Sequence, residues 1–178
     1  MDNQRQGLTY PWRFISQRAL DLKRTADLLQ SDIASCVSCC EEFVPIPASH
    51  LFCQVCGANH SLGLRFKTSE CGVTASIQAS PEWQGYEGIM HGGMIATLLD
   101  AAMTHCLFHH QIEAMTAALN VRYLAPVRCT GRIDVTASLI GRRRLIYELD
   151  AELRVAGELK ARADAKFMCH KNVSFPAN

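Results

Sequence analysis

One long apolar run that contains a single acidic residue constrains the fold of this chain more than any other feature. Asp100 is the only formally charged residue between Gly93 and Phe108, and no glycine or proline interrupts the run after Gly93. Such a run predicts a helix that is apolar on every side and therefore buried. The run is too short to cross a bilayer.

The acid and the residues before the helix point to chemistry. Burying a carboxylate is unfavourable unless the group is paired, hydrogen-bonded or used in a reaction. His91-Gly92-Gly93 leads directly into the run, and glycines leave the backbone N–H groups at the positive helix end accessible. A helix start that polarises an electrophile and a buried carboxylate are thus predicted on one element. The alternative is that Asp100 is a hydrogen-bonded core residue without a chemical role.

Composition narrows the functional classes. The chain has 178 residues, 48% of them hydrophobic, and a net charge of +1, which fits one domain and argues against binding to nucleic acid. No segment has the pattern of a membrane span or signal peptide, so we do not expect a membrane as partner. Because the net charge is close to zero, we do not expect a nucleic acid as partner either. Nine cysteines, an odd number scattered through apparent core, indicate free thiols and a reducing, cytoplasmic setting.

Alternating apolar and polar residues predict strands on both sides of the helix. Residues 62–90 read as extended, and further alternating stretches cover residues 117–124, 133–140, 145–155 and 159–168. Turns are expected at residues 141–144 and 156–157, which makes adjacent strands antiparallel. We therefore predict an α+β fold in which a sheet of about five to six strands wraps the helix. Because that sheet alone does not cover a helix that is apolar all round, a second subunit is expected.

Residues 1–50 form a distinct N-terminal extension. Apolar residues recur there at spacings of four and three, which predicts an amphipathic docking helix: Ile15, Ala19, Leu22, Ala26, Leu29 and Ile33. A basic targeting peptide is the less favoured alternative, because acidic residues interrupt this stretch. Pro45 and Pro47 then predict an extended linker.

Three stretches carry a resemblance to a known family: residues 53–64, 85–100 with the His-Gly-Gly helix, and 116–126 with Leu-Asn-Val-Arg-Tyr-Leu-Ala-Pro. They resemble the hotdog-fold acyl-CoA thioesterases of the 4-hydroxybenzoyl-CoA thioesterase superfamily, especially the phenylacetate-pathway and mammalian thioesterase-superfamily types. The resemblance covers about residues 53–170. It implies a hotdog domain at residues 51–172, a homodimer or homotetramer, and hydrolysis of acyl-CoA to acid and free CoA without a metal or organic cofactor.

The resemblance also implies roles for individual residues. Asp100 matches the general base or nucleophile, and Gly92 matches the residue whose N–H binds the thioester carbonyl oxygen. His91 matches a residue that shapes the helix start, and Thr116 matches a hydroxyl that places the attacking water. We expect further substrate contacts from Gly93 and Asn120, which lie in the same motifs.

The chain departs from the family at one position. Some relatives have an asparagine six residues before the histidine, where this chain has Gly85. Gln84, its neighbour, is the candidate replacement for that amide; otherwise the site lacks the donor.

Helix geometry makes a prediction about assembly. Gly92 and Asp100 are eight residues apart, or about 12 Å along a helix with a rise of about 1.5 Å per residue. Both groups must reach one thioester carbon, which one chain does not easily allow. We therefore expect Gly92 of one subunit to face Asp100 of its partner.

A basic cluster is the candidate site for the CoA phosphates. Arg142, Arg143 and Arg144 follow one another at a predicted turn, where they either bind phosphate or form a solvated hairpin tip. Arg122 and Lys166 are weaker alternatives.

Two Cys-x-x-Cys pairs, Cys36/Cys39 and Cys53/Cys56, are separated by thirteen residues. This spacing is compatible with a structural four-thiolate zinc site, with Cys40, His50 and His60 as spare ligands. The favoured alternative assigns the second pair to the opening of the hotdog domain without a metal. His105 is expected in the core or an interface, and His109 and His110 at the end of the helix.

Two other functions stay open on this sequence. One is a non-catalytic acyl-CoA-binding sensor, which has no need of a buried acid. The other is an enoyl-type hydratase or dehydratase, which pairs a histidine with an acid in motifs not found here. The acyl group is also open.

Overall fold

One helix and a six-stranded antiparallel sheet dominate the part of the chain that this computed structural model describes, residues 42–169. In chain order the elements are β1 (Lys67–Ser69), β2 (Gly72–Gln78), β3 (Gln84–Tyr86), β4 (Ile89–Met90), α1 (Gly92–His109), β5 (Met115–Tyr123), β6 (Arg132–Arg143), β7 (Ile146–Val155) and β8 (Glu158–Met168). Short 3₁₀ helices cover Ala48–His50 and Pro81–Trp83. The predicted N-terminal helix and the first cysteine pair lie outside the described residues.

The strand order in the main sheet is β1-β2-β6-β7-β8-β5, and β3 and β4 form a separate pair. Every pairing is antiparallel. The helix connects β4 to the edge strand β5 and packs against β2, β5, β6, β7 and β8. The predicted α+β architecture is confirmed, including the number of strands.

The core lies between the helix and one face of the sheet. Alternate residues of β6, β7 and β8 point into it, because successive strand residues face opposite sides: Ile133, Val135, Ala137, Tyr147, Leu149, Ala151, Leu153, Ala161, Ala163, Ala165 and Phe167. From Ala101 to Phe108 every helix residue except Thr104 is buried. His105 is a core residue as predicted, 1% exposed and stacked on Phe66.

The first half of α1 is not buried on every side, which corrects the expectation for a single chain. Gly93, Thr97, Asp100 and Thr104 follow one another at spacings of four, three and four, and each is at least partly exposed. They form a stripe on one helix face. The sheet covers the other faces, so one chain leaves this stripe open.

The end of β6 also differs from the prediction. The predicted strand stopped at residue 140, but β6 continues to Arg143 and the turn is at Arg144 and Leu145. A register shift between Leu139 and Gly141 explains the difference, because a bulge interrupts the alternation from which the strand was predicted. The predicted turn at Ala156–Gly157 is confirmed, and both residues have positive φ angles.

Val44, just before the extended linker predicted at Pro45 and Pro47, packs in the core. Val44 is buried, and its N–H donates to the carbonyl of Phe66 at 2.8 Å. The prolines keep this segment extended, and its backbone pairs with the stretch that leads into β1. The helices in the described part of the chain are too short or too polar to span a membrane.

Candidate active site

The start of α1 is held by His91, which is the N-cap residue. Its Nδ1 accepts a hydrogen bond from the Gly93 N–H at 2.9 Å, so the ring carries its proton on Nε2 when neutral. Its carbonyl accepts from the N–H groups of Met94 and Ile95. The predicted role of His91 in shaping the helix start thus has a structural basis in capping.

Glycines make room for this histidine. A Cβ on Gly93 would lie 2.9 Å from Nδ1 of His91, and one on Gly85 would lie 3.1 Å from its Cδ2. Gly85, the position of the expected departure from the family motif, therefore lets the strand approach the capping ring closely.

Gly92 occupies the first position of the helix, between the cap and the ring of Tyr123. The Tyr123 hydroxyl donates to the Gly92 carbonyl at 2.9 Å. Within residues 42–169 the Gly92 N–H has no hydrogen-bond acceptor, since the cap takes the Gly93 N–H instead. One backbone donor at the positive helix end is therefore available to an oxygen atom from outside the chain.

Asp100 lies two turns further along the exposed stripe of α1. The Thr116 hydroxyl on β5 donates to its Oδ1 at 2.7 Å, so the acid and the predicted water-placing residue are together. Burial raises the pKa of the Asp100 carboxyl above its ordinary value, and the hydrogen bond from Thr116 acts in the opposite direction. A carboxylate with a raised pKa in an apolar setting is a suitable proton acceptor.

An open apolar groove of about 290 Å³ runs beside the helix start. The residues that line it are Ile89, Met90, Gly92, Ile95, Tyr123, Leu124, Ala125, Pro126 and Val127. An acyl or thioester chain that lies in this groove has its carbonyl within reach of the helix start.

Other predicted substrate contacts do not converge on Asp100 within one chain. The Gln84 side-chain oxygen accepts from the Gly88 N–H at 3.2 Å, which fixes the β3 turn. Asn120 donates to Asp164 at 3.0 Å and lies opposite Asp164 in the strand register. Because the alternate residues of β8 point into the core, this pair is on the outer face of the sheet.

The predicted phosphate-binding residues also lie away from the helix start. Arg142, Arg143 and Arg144 are exposed at the β6–β7 turn, and the Arg142 guanidinium lies over the Tyr147 ring at 5.3 Å. Of the two alternatives, Lys166 pairs with Glu148 at 3.8 Å, and Arg122 is paired with Arg162 in the strand register.

Sequence reasoning missed Tyr123 and the groove. Tyr123 lies in the motif that carried the family resemblance, but nothing in its spacing indicates a contact with Gly92, 31 residues earlier. The Ala125-Pro126 dipeptide after β5 was the only local signal that the chain leaves the sheet there.

Comparison with known proteins shows which proteins this geometry resembles. Residues 87–161, from the β3–β4 turn into β8, match the model of the Thioesterase superfamily. The acid-bearing helix and strands β4 to β7 lie inside the matched region. The fold of the chain is the hotdog fold.

Three relatives define the similarity. Acyl-coenzyme A thioesterase THEM4 of Rattus norvegicus is 28% identical over 114 residues, 63% of this chain and 49% of that protein. A phenylacetic acid degradation-related protein of Ralstonia eutropha JMP134 is 24% identical with a TM-score of 0.56, covering 70% of this chain and 91% of that one. A hypothetical thioesterase protein of Streptococcus pneumoniae TIGR4, with coenzyme A, is 15% identical with a TM-score of 0.57, covering 60% and 87%.

These similarities differ in the length covered and in sequence identity. The chain spans about half the length of the curated relative that it matches. The two solved structures share its hotdog fold at low sequence identity.

Proposed function

We propose that the protein hydrolyses an acyl-CoA thioester to a carboxylic acid and free CoA. The observation that carries the proposal is the Asp100–Thr116 pair on the open stripe of an otherwise apolar helix, whose first N–H has no acceptor within residues 42–169. A binding protein has no need of a half-buried acid in this position, because the acid lowers stability without adding affinity for an anionic ligand.

Two of the relatives support the class of substrate. One is named an acyl-coenzyme A thioesterase, and the structure of another contains coenzyme A. The apolar groove beside Gly92 suits a thioester chain, and the exposed arginines at the β6–β7 turn suit the phosphates of the nucleotide end.

We propose that the working site lies between two copies of the chain. Gly92 and Asp100 belong to one uninterrupted helix, so about 12 Å of helix separates them. The donor and the base must both reach the same carbon, within about 3–4 Å of their own contacts. A second copy that brings its own Asp100 to the Gly92 N–H removes this conflict.

The edge strand β5 suggests how the copies pair. It is the last strand of the sheet, so one of its edges has no partner within the described chain. Met115, Tyr123 and Leu124 are about half exposed there, at 49%, 53% and 52%. Unpaired edges with apolar side chains favour association.

Antiparallel pairing of β5 with its copy has a useful consequence. A two-fold axis near the middle of the strand, at Leu119 or Asn120, brings Thr116 of one copy close to the partner's Tyr123. Thr116 binds Asp100 and Tyr123 binds Gly92. The same pairing therefore brings the acid of one chain toward the helix start of the other.

In the proposed reaction the carbonyl oxygen of the thioester accepts a hydrogen bond from Gly92. As base, Asp100 takes a proton from water while the water oxygen attacks the carbonyl carbon. The electrons of the C=O bond move to the oxygen, where the N–H and the helix dipole stabilise the negative charge. The tetrahedral intermediate then expels the CoA thiolate, which takes up the proton.

As nucleophile, Asp100 attacks the carbonyl itself, expels the thiolate and leaves an anhydride that water opens. Single turnover in ¹⁸O-labelled water distinguishes the two routes, provided that water opens the anhydride at the carboxyl carbon of Asp100. The first acid released then carries label if Asp100 is the base, and carries an unlabelled enzyme oxygen if it is the nucleophile.

The direct test is release of free thiol from a panel of aliphatic and aromatic acyl-CoA esters. We expect turnover by the wild-type protein and its loss in Asp100→Asn, with acyl-CoA binding retained. Binding without turnover in the wild type would favour the sensor, and a change in enoyl-CoA absorbance without thiol release would favour a hydratase.

A further inference from the structure

A second group of reactive side chains lies outside the proposed active site. The Nδ1 or Nε2 atom of His50 and the Sγ atoms of Cys53 and Cys56 all lie within 4.8 Å of one another. The Cys56 Sγ is 3.8 Å from Nδ1 of His50. Both thiols are free in the structure. Imidazole nitrogen and cysteine sulfur together are the ligand types that zinc prefers.

The local backbone brings these ligands together. The 3₁₀ helix Ala48–His50 ends so that the Cys53 N–H donates to the His50 carbonyl at 3.0 Å. The Gly57 N–H then donates to the Cys53 carbonyl at 2.8 Å. A Cβ on Gly57 would lie 2.4 Å from that carbonyl oxygen, so this tight turn requires glycine.

A backbone donor also faces one of the sulfurs. The Val55 N–H donates to the Cys53 Sγ at 3.4 Å. A metal site needs such contacts around its ligands to orient them. The turn therefore already provides part of the environment of a coordinated sulfur.

The dimensions fit a tetrahedral zinc ion. With Zn–S of about 2.3 Å and Zn–N of about 2.0–2.1 Å, tetrahedral ligand atoms lie about 3.6–3.8 Å apart. The sulfur–nitrogen separation of 3.8 Å is already at that distance. The remaining separations are at most 4.8 Å. Side-chain rotations that move the ligand atoms by about 1 Å are therefore enough to reach the tetrahedral distances.

We propose that His50, Cys53 and Cys56 are three ligands of a structural zinc ion. This site is independent of the proposed hydrolysis.

The residues around the cluster indicate that the role of the zinc ion is structural. The His50 ring meets the Phe108 ring at 4.8 Å, and Phe108 meets the buried His105 at 5.2 Å. Phe108 is eight residues beyond Asp100 in α1, about 12 Å along the helix. Zinc at His50 therefore anchors the loop before β1 to the end of the helix and does not contact the proposed substrate groove.

The first experiment measures metal in the full chain, purified under reducing conditions without chelator, supplied with zinc and desalted. We expect one zinc per chain by mass spectrometry, and a thiolate-to-metal charge-transfer band after exchange with Co²⁺. Removal of zinc by a chelator should lower the midpoint of thermal unfolding, and added zinc should restore it. A wild-type protein that retains no zinc overturns the proposal, whether its thiols stay free or form a disulfide.

Variants then identify the ligands. Cys53→Ser, Cys56→Ser and His50→Ala should each weaken zinc binding at least tenfold, and Cys71→Ser, which changes an exposed free cysteine, should leave it unchanged. If a variant does not fold, the metal content and the cobalt band of the wild type still decide whether the site exists. Unchanged zinc affinity in all three folded ligand variants would refute the assignment.

Discussion

Two inactive variants of this protein should restore each other's activity if the site is shared between chains. The first variant is Gly92→Pro, which removes the proposed oxyanion donor. Proline is well tolerated at the first helical position, and His91 before it has the extended conformation that proline favours, with φ −63° and ψ 133°. The second variant is Asp100→Asn, which removes the base and keeps an acceptor for Thr116.

The expected recovery follows from the arrangement of the two sites in a dimer. Loss of one oxyanion donor lowers kcat by about 10²–10³-fold, so each variant alone should retain about 1% of wild-type activity or less. In a hybrid dimer, one site combines the intact Gly92 of one chain with the intact Asp100 of the other. Random reassociation of equal amounts makes half of the dimers hybrids, so the mixture should reach about 25% of wild-type activity.

The assay measures thiol release after the variants have been unfolded together and refolded, with each variant alone treated in parallel. Gly92→Ala is the matched control, because it keeps the N–H and its Cβ would lie 3.4 Å from the Tyr123 ring, an ordinary contact. Mixing wild type with a chain that carries both substitutions gives the complementary readout. We expect about 25% activity if sites are shared and about 50% if each chain has its own. A mixture of single variants no more active than its components would refute the shared site.

Three further substitutions test the remaining contacts. Thr116→Val removes the hydrogen bond that lowers the pKa of Asp100, so the acidic limb of the kcat/KM profile should move to higher pH, where the base is ionised. Thr116→Ser should restore the wild-type profile. An unmoved limb in the valine variant would show that Asp100 is not the titrating base. His91→Ala should lower the free energy of unfolding by about 1 kcal/mol through loss of the helix cap, and it should also reduce kcat/KM. His91→Asn should recover the lost stability. An unchanged denaturation midpoint in the alanine variant would contradict the capping role. Replacing the arginines at the β6–β7 turn with alanine should raise KM for acyl-CoA about tenfold, if their charged hydrogen bonds to phosphate contribute about 1.5 kcal/mol, but should not affect a substrate on a short thiol; equal KM changes for both substrates would exclude phosphate recognition. The residues of this triple variant are Arg142, Arg143 and Arg144.

Much of the fold could be predicted from local patterns. The apolar run predicted α1 because no breaker interrupts it from Met94 to Phe108. Period-two alternation predicted β7 and β8 to within one residue at each end. It failed at the end of β6, where the bulge near Gly141 shifts the side-chain alternation while the backbone pairing continues. Pattern reasoning detects side-chain periodicity, whereas strand length is set by backbone hydrogen bonds.

The candidate site was less accessible to sequence reasoning because its contacts are distant along the chain. The family motif predicted Asp100 and Thr116 as members of one site, and their hydrogen bond is consistent with that prediction. No local pattern indicated that Tyr123 would bind the Gly92 carbonyl. The cysteine spacing was compatible with a zinc site but did not favour one, and it offered His50 only as a spare ligand. The structure brings His50 next to Cys53 and Cys56 through a short 3₁₀ helix.

The two halves of α1 have different environments. We therefore expect changes near the first half to affect catalysis and changes near the second half to affect stability. The first half exposes a stripe that ends near Asp100, next to the unpaired edge of β5, so its polar groups are available to a second chain. The second half is enclosed and contacts His50 through Phe108. A chain that has lost zinc should therefore unfold more readily while the folded fraction keeps its kcat and its pH profile. By contrast, a substitution on the stripe should change kcat with little effect on the unfolding of one chain.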